Sequence, residues 1–303
     1  MIRFLNRKQI DDHKWNSVIA ASRYETIYPH TWYLDACADR WFAMVMNDYE
    51  CVMPVVFRNK FGLRYTYQPI YCQQLGVFSE QRVDTEITRM FLHKMQRKFK
   101  MGDYALNEGN IIGEEKGLNV TDSHNYTLPI SEDYDQIFKN YSENCRRNVK
   151  KAFRENLEFS DEVNLEELIS LKKMNEKVQR SPKHYAYVRL LFERLAEMDR
   201  VRIFGARTDS HLLAAAVYGY SEKRAVFLLS ASSDMGKKKR AMFMVMDAFI
   251  QMHAGSGYTL DFEGSDIASI ARFFRGFGAK PQVYQRISFN NRTNNLVKRI
   301  KSA

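Results

Sequence analysis

Two carboxylates lie at the end of a short apolar run, in the sequence Leu260-Asp261-Phe262-Glu263-Gly264-Ser265. Residues 258–262 are typical of a strand, and side chains just past a strand end project into the opening of a sheet. A carboxylate there can act as a general base or anchor a water that takes up a proton. We predict this role for Glu263, with Asp261 as second candidate on the same face of the strand. The structural alternative is a helix cap or a salt bridge.

The net charge of the chain is +10, and its positive charge is concentrated in three segments that contain no acid. The three segments hold 14 basic residues, so the rest of the chain is net negative. Local basic patches attract phosphates, nucleic acid or acidic lipid surfaces; the alternative is a set of solvated faces. The clusters are Arg146, Arg147, Lys150, Lys151 and Arg154; Lys237, Lys238, Lys239 and Arg240; and Arg286, Arg292, Lys298, Arg299 and Lys301.

The cysteines and histidines show no spacing typical of a metal site. The cysteines form no CxxC pair, and the seven histidines form no HxH or HExxH pair, so we predict no metal. Charge interrupts the N-terminus before an apolar signal region can form, and no apolar run reaches the about 20 residues of a transmembrane segment. We therefore expect a cytoplasmic protein without a transmembrane segment. The four cysteines, read as reduced packing residues, are Cys37, Cys51, Cys72 and Cys145.

The elements that must position these residues follow one order in the second half of the chain. Three β-rich runs separated by polar turns predict an antiparallel meander at 201–206, 212–220 and 224–230. Apolar periodicity predicts helices before the meander, at 134–154, 164–178 and 185–198. After it we predict a helix at 236–252, the strand at 258–262, a helix capped by Ser265 or Asp266, and a strand at 282–289.

The first half repeats this order in shortened form. The predicted strands at 41–46 and 104–106 precede their counterparts in the second half, which begin at residues 201 and 258, by 160 and 154 residues. The near-constant offset predicts an internal duplication. We predict an α/β protein with a mixed sheet and two domains, residues 1–128 and 129–303. Residues 107–123 are rich in Gly, Asn and charge where the second half has a helix, so we expect the first domain to be degenerate and the second active.

This organisation resembles the GNAT acyltransferase superfamily, as two tandem GNAT-like domains. Three segments carry a closer resemblance to the tandem proteins related to the Fem peptidoglycan-bridge aminoacyltransferases. They are YSENCRRNVKKA at 141–152, DFEGS at 261–265 and FFRGFGA at 273–279. The resemblance implies direct transfer of an acyl group from a phosphate-bearing donor to an amine-bearing acceptor in one ternary complex. The donor it implies is acyl-coenzyme A or aminoacyl-tRNA, and the acceptor class includes cell-wall precursors.

In GNAT proteins the helix after the meander binds the phosphates of the donor. Here we predict this role for the turn from Gly236 to Ala241, because a helix N-terminus collects unpaired N–H groups and the positive end of the dipole. Gly236 would permit close approach, and the basic residues would add charge. The family's glycine pattern is altered at this turn, which puts coenzyme A in doubt as the donor. The predicted donor-binding residues are Leu229, Ser230, Gly236, Lys237, Lys238, Lys239, Arg240 and Ala241.

The resemblance also implies an oxyanion site and a proton donor. Backbone N–H groups of the strand at 226–230 would hold the oxyanion. Many GNAT enzymes use a tyrosine after the last helix to protonate the leaving group, whereas this chain has Phe273-Phe274. Tyr284 or Tyr258 is the predicted substitute, with core packing as the alternative. Two other functions stay open. One is aminoacyl ligation that depends on aminoacyl-tRNA, in which tRNA would be the partner. The other is a catalytically silent binding module.

Overall fold

The computed structural model describes residues 1–60, 62–209, 211–264 and 266–290, which form two compact units. The first unit comprises Met1–His124 and, of the described residues after Pro281, 282–290; the second comprises Asn125–Pro281. This division differs from the predicted boundary after residue 128 in two respects. The second unit begins four residues earlier, and residues 282–290 belong to the first unit.

The helices and strands are numbered along the whole chain. The elements up to residue 124 are β1 (Ile2–Asn6), α1 (Asp12–Ala21), α2 (Thr31–Cys37), β2 (Trp41–Met46), β3 (Cys51–Lys60), β4 (Leu63–Thr66), α3 (Thr85–Lys98), β5 (Met101–Ala105) and the start of β6 (Asn119–Pro129). Those that follow are α4 (Tyr134–Lys139), α5 (Glu143–Arg154), β7 (Glu158–Ser160), α6 (Leu165–Asn175), α7 (Pro182–Glu197), β8 (Val201–Thr208), β9 (His211–Tyr220), β10 (Arg224–Ser232), α8 (Asp234–Lys239), α9 (Ala241–His253), β11 (Thr259–Asp261), α10 (Ala268–Gly276) and β12 (Lys280–Asn290).

The first unit has strands in the order β1-β2-β3-β4-β5-β12. The β4–β5 pair is parallel and the other pairs are antiparallel, so this part of the sheet is mixed. Strand β12 is joined to this unit by Gln285, which is buried. Its Oε1 accepts a hydrogen bond of 2.8 Å from the backbone N–H of Ile112, and its Nε2 donates to Asp122 Oδ1 at 3.2 Å.

The second unit has strands in the order β6-β11-β10-β9-β8-β7. Strands β10 and β11 are parallel, whereas the other described pairs in this unit are antiparallel. Apolar residues from the sheet and from α5, α9 and α10 form one core. At its centre the ring of Phe249 stacks on that of Tyr218, with centroids 3.8 Å apart. The predicted α/β fold with a mixed sheet is confirmed.

Three of the predicted helices differ in the structure. The helix predicted at 134–154 is two helices, because Ser142 caps α5 by accepting a hydrogen bond from the N–H of Cys145 at 3.2 Å. The helix predicted at 236–252 is also two helices, which meet at Arg240 in a left-handed conformation with φ 64°. The last helix begins at Ala268 after Ile267, so Asp266 does not cap it, and Ser265 lies outside the described residues.

Candidate active site

The second unit contains a slot where two parallel strands separate. Strand β11 pairs with β10 only from Arg224 to Val226, while β10 continues to Ser232. Within the described residues, no strand pairs with that edge of β10 beyond Val226. The register between β10 and β9 also shifts between Phe227 and Leu229, which makes Leu228 the extra residue of a bulge. Leu229 and Ser230, both predicted donor-binding residues, therefore lie on the open stretch of β10.

Asp261 lies at the end of β11, and its side chain is 1 % exposed. Oδ2 accepts hydrogen bonds from Arg224 Nη1 at 2.9 Å and from Asn125 Nδ2 at 3.1 Å. Oδ1 accepts from the backbone N–H of Glu263 at 2.9 Å. These three hydrogen bonds hold the end of β11 in place.

Glu263 follows the strand in a left-handed conformation, with φ 55°, and Gly264 continues it with φ 52°. Left-handed backbone is disfavoured for a residue with a Cβ by about 1 kcal/mol or more, so a glutamate here is held by its surroundings. Its side chain is half-buried. The prediction that strand alternation places Asp261 and Glu263 on one face was wrong, because β11 ends at Asp261. The turn brings the two residues together instead, through the hydrogen bond from Glu263 N to Asp261 Oδ1.

The basic turn after β10 is not the first turn of a long helix, as the sequence predicted. Ser233 caps the short helix α8, and its Oγ accepts from the N–H of Gly236 at 2.9 Å. The N–H of Gly236 is therefore used within the turn. A Cβ on Gly236 would lie 2.2 Å from the carbonyl oxygen of Leu213, so the glycine is required for packing against β9. The basic residues occupy the last turn of α8 and the junction, and Ala241 is buried at the start of α9.

Two of the basic clusters converge in the fold although they are far apart in the sequence. Lys239 Nζ donates to the carbonyl oxygen of Glu155 at 2.9 Å and lies 3.4 Å from its carboxylate, which places the end of α8 beside the end of α5. We call the exposed side chains around this contact the basic surface. They are Lys150, Lys151 and Arg154 of α5 and Lys237, Lys238 and Arg240 of α8 and its junction. In the third cluster, Arg286 pairs with Asp103 at 2.8 Å, whereas Arg292, Lys298, Arg299 and Lys301 lie outside the described residues.

A chain of polar contacts that the sequence interpretation missed reaches the open stretch of β10 from α6. Lys172 Nζ lies 3.4 Å from the carbonyl oxygen of Ser230 and 3.2 Å from Glu176 Oε1. Glu176 also accepts a hydrogen bond from Tyr185 Oη at 2.5 Å. Burial raises the pKa of Glu176, but the contacts with Tyr185 and Lys172 outweigh it and hold that pKa below its usual value. The i, i+4 spacing of Lys172 and Glu176 was the signal available in the sequence.

The two predicted proton donors belong to different units. Tyr284 is buried on β12 and belongs to the first unit. Tyr258 immediately precedes β11, so it lies at the opposite end of that strand from Glu263. Phe274 is buried and packs on Phe262 with ring centroids 4.7 Å apart, as a core residue does.

A buried carboxylate with an altered pKa lies on α9, inside the core. Asp247 is 1 % exposed, and Tyr134 Oη donates to both of its oxygens at 3.0 Å. Burial raises the pKa of Asp247 to about 6, although the hydrogen bond from Tyr134 lowers it in part. Burial also raises the pKa of the neighbouring Cys145 thiol to about 12, which keeps that thiol protonated. This group is therefore a core feature.

The described ranges, residues 1–60, 62–209, 211–264 and 266–290, offer neither a metal site nor a membrane-spanning helix. No cluster of three or more His, Cys, Asp and Glu side chains there could hold a metal ion. Across the same ranges, no helix has both the length and the apolar character needed to span a bilayer.

Known proteins are similar to this chain in sequence and in fold. Residues 139–272 match the model of the acetyltransferase (GNAT) domain. No curated protein matches the sequence. The crystal structure of FemX is similar over 97% of this chain and 99% of its own, with a TM-score of 0.70 and 10% identity.

Two further solved structures share the fold. A tandem GNAT protein from the clavulanic acid biosynthesis pathway has a TM-score of 0.57 and 9% identity, over 95% of this chain and 98% of its own. The C-terminal domain of a putative lysylphosphatidylglycerol synthetase from Agrobacterium fabrum has the same TM-score and 9% identity, over 92% of each chain. The predicted resemblance is thus confirmed. Residues 139–272 match the GNAT domain model, and the fold of the whole chain is that of tandem GNAT proteins, with FemX among its structural relatives.

Proposed function

We propose that the second unit transfers an aminoacyl group from aminoacyl-tRNA to the amine of an acceptor, in a ternary complex without a covalent enzyme intermediate. The observation that supports it most is the slot between β10 and β11, which exposes backbone of a bulged strand beside Glu263. Backbone N–H groups at such an edge can stabilise the oxyanion that forms when an amine attacks a carbonyl carbon. The first unit is proposed to be degenerate, because it has no helix corresponding to α10 within the described residues.

The choice of donor rests on what the turn after β10 can bind. A pyrophosphate needs free backbone N–H groups and room for close approach. Here the N–H of Gly236 is bonded to Ser233, and the Cα of Gly236 packs against the Leu213 carbonyl group. The basic surface instead offers six exposed cations spread over two helices. That arrangement suits a polymer of phosphates better than a single pyrophosphate, which favours aminoacyl-tRNA over acyl-coenzyme A.

The reaction assigns one role to each carboxylate of the turn. The amine nitrogen attacks the ester carbonyl carbon, a C–N bond forms, and the ester C–O bond to the ribose breaks. Glu263 takes up the proton that the nitrogen loses and passes it to the leaving ribose oxygen, so the transfer is neutral overall. Asp261 positions Glu263 through its backbone N–H and ties β11 to Arg224 of β10. Lys172 holds the carbonyl group of Ser230 at the open edge.

A transfer assay tests the proposal. The protein is incubated with bulk tRNA charged with ¹⁴C-labelled amino acids, or with [¹⁴C]acetyl-coenzyme A, and a panel of amines that includes a lysine-containing cell-wall precursor peptide. We expect label from the tRNA to appear in an RNase-resistant product, and Glu263→Gln to slow its formation about 100-fold. Transfer from acetyl-coenzyme A alone would replace the proposed donor. Binding of tRNA without transfer to any acceptor would favour the alternative, a silent binding module.

A further inference from the structure

The second unit has a cleft of about 600 Å³ at the end of its sheet where β10 and β11 begin. Strands β7 and β9 end there, and β8 starts there. The slot proposed for the donor lies at the opposite end of β10, where that strand and β11 separate. The cleft is therefore a second concave region of this unit, and neither Glu263 nor the basic surface lines it.

One wall of the cleft is aromatic. The rings of Tyr220, Tyr258 and His253 line it and contact one another, with centroid distances of 5.7 Å for Tyr220–His253 and 6.1 Å for Tyr220–Tyr258. All three rings are partly exposed. Aromatic faces carry negative electrostatic potential and attract organic cations when water is excluded. Met252, which is 54% exposed, extends the apolar lining.

Tyr220 and His253 use their side-chain donors within the protein. The ring nitrogen Nδ1 of His253 lies 2.8 Å from the carbonyl oxygen of Phe249, which can only accept, so Nδ1 carries the proton. Nε2 of the neutral ring is then an acceptor, and it lies 3.2 Å from Tyr220 Oη, which donates to it. Burial lowers the pKa of His253, which keeps the ring neutral near pH 7. The wall thus presents ring faces to the cleft, and neither Tyr220 nor His253 directs a donor into it.

Other residues of the lining carry charge. Asp161 and Glu162 are exposed, and neither makes an ion pair in the part of the chain that the structure describes. The two arginines that line the cleft are each matched by a lining acid, Arg202 with Asp199 at 2.5 Å and Arg200 with Glu222 at 3.4 Å. The lining therefore has a net negative charge from Asp161 and Glu162, in a chain whose net charge is +10.

We infer that this cleft is a binding site for an organic ammonium group, held between the Tyr220–Tyr258–His253 wall and the carboxylates of Asp161 and Glu162. The site is independent of the proposed acyl transfer. A ligand with a positive nitrogen and attached methyl or methylene groups satisfies both surfaces, because its carbons contact the rings while its charge faces the carboxylates. A neutral ligand of the same shape lacks the second interaction.

The test uses choline and its neutral carbon isostere, 3,3-dimethylbutan-1-ol, titrated into protein with ¹³C-labelled methionine methyl groups. The signal of Met252, assigned with Met252→Leu, reports on the cleft, and that of Met174, 75% exposed on α6, is an internal reference. We expect choline alone to shift the Met252 signal saturably at constant ionic strength. No saturable shift with choline, or equal affinity for the isostere, would overturn the inference.

Substitutions locate the binding. Asp161→Asn with Glu162→Gln changes exposed residues, so the fold should be retained, and we expect choline to bind at least about fivefold more weakly. Tyr258→Leu, which keeps the wall apolar, should weaken the binding of choline by a similar factor. The matched control replaces two exposed acids elsewhere, Glu114→Gln with Glu193→Gln, and should leave the affinity unchanged. Equal losses in the control and in the acidic pair would assign the effect to overall charge and overturn the inference.

Discussion

Arg224 and Asp261 form a buried ion pair, with Nη1 2.9 Å from Oδ2, across the three residues over which β10 and β11 remain paired. The arginine side chain is 12% exposed and the aspartate side chain 1%. Beyond this pair the two strands separate, and Asp261 Oδ1 holds the backbone of Glu263. The pair therefore fixes the closed end of the slot and the turn that carries the proposed base.

Removing one partner of this pair should destabilise the fold. Asp261→Ala leaves the Arg224 guanidinium without its carboxylate and removes the acceptors for Asn125 and Glu263, so we expect the free energy of unfolding to fall by about 3 kcal/mol. Urea denaturation measures it. Glu143→Gln, which breaks the exposed pair with Arg147, is the control and should cost under about 1 kcal/mol. A loss for Asp261→Ala no larger than the control's would show that the pair does not secure the strands.

Substitutions of Glu263 separate its carboxylate from its backbone. Glu263→Gln should lower kcat about 100-fold with the affinity for tRNA unchanged, because the amide cannot take up a proton. Glu263→Gly should lower kcat equally, while the free energy of unfolding stays the same or rises by up to about 1 kcal/mol, because glycine tolerates φ 55°. Single-turnover assays and urea denaturation are the measurements. The control Glu132→Gln alters an exposed acid and should leave kcat unchanged. Full activity of Glu263→Gln would remove Glu263 from the mechanism.

The salt dependence of tRNA binding tests the basic surface. Each phosphate contact contributes about 0.9 to the slope of log K against log salt concentration. We expect two triple variants each to reduce both the affinity for tRNA and the slope. They are Lys150→Gln, Lys151→Gln, Arg154→Gln in α5 and Lys237→Gln, Lys238→Gln, Arg240→Gln in α8 and its junction. The control is Lys8→Gln, Arg97→Gln, Lys100→Gln in the first unit. If all three triple variants had the same slope, the convergence of α5 and α8 would have no role in binding, and the cations would serve to offset the helix dipoles at their C-termini.

Asp247 should make stability depend on pH in a specific window. Its pKa is about 6 in the folded protein and about 3.9 in the unfolded chain, so the native state binds the extra proton between these values. The stabilising contribution of the neutral carboxyl group is complete below about pH 4 and is lost as the pH rises through 6. Asp247→Asn, which stays neutral, should therefore gain about 3 kcal/mol relative to the native protein between pH 4 and 7. Urea denaturation across this range checks it; a constant difference would mean that Asp247 ionises normally.

Regular elements were predictable because their patterns are local. The meander around β9 follows from alternating apolar runs and polar turns, and the strand before Glu263 follows from its composition. The two helix breaks were not predicted. One depends on Ser142 acting as a cap inside a continuous apolar period, and the other on Arg240 adopting a left-handed conformation that favours glycine.

The long-range features of the site were beyond sequence patterns. The contact of Lys239 with Glu155 joins residues 84 apart, and the contact of Lys172 with Ser230 joins residues 58 apart. Periodicity also could not show that β12 pairs with β5, because a strand's composition does not name its neighbour. Asp261 and Glu263 were found from the motif, whereas their mutual orientation came from a turn that alternation does not describe.

Donor binding tests the central claim most directly. Fluorescence anisotropy gives the dissociation constant of a labelled aminoacyl-tRNA that has a nonhydrolysable amide link at its 3′ end. Unlabelled acetyl-coenzyme A serves as competitor at 1 mM, roughly the upper end of the usual range of KM values. We expect saturable tRNA binding that acetyl-coenzyme A does not displace and that weakens with salt and with substitution of the basic surface. Displacement by acetyl-coenzyme A, or absence of tRNA binding while acetyl-coenzyme A raises the melting temperature, would contradict it.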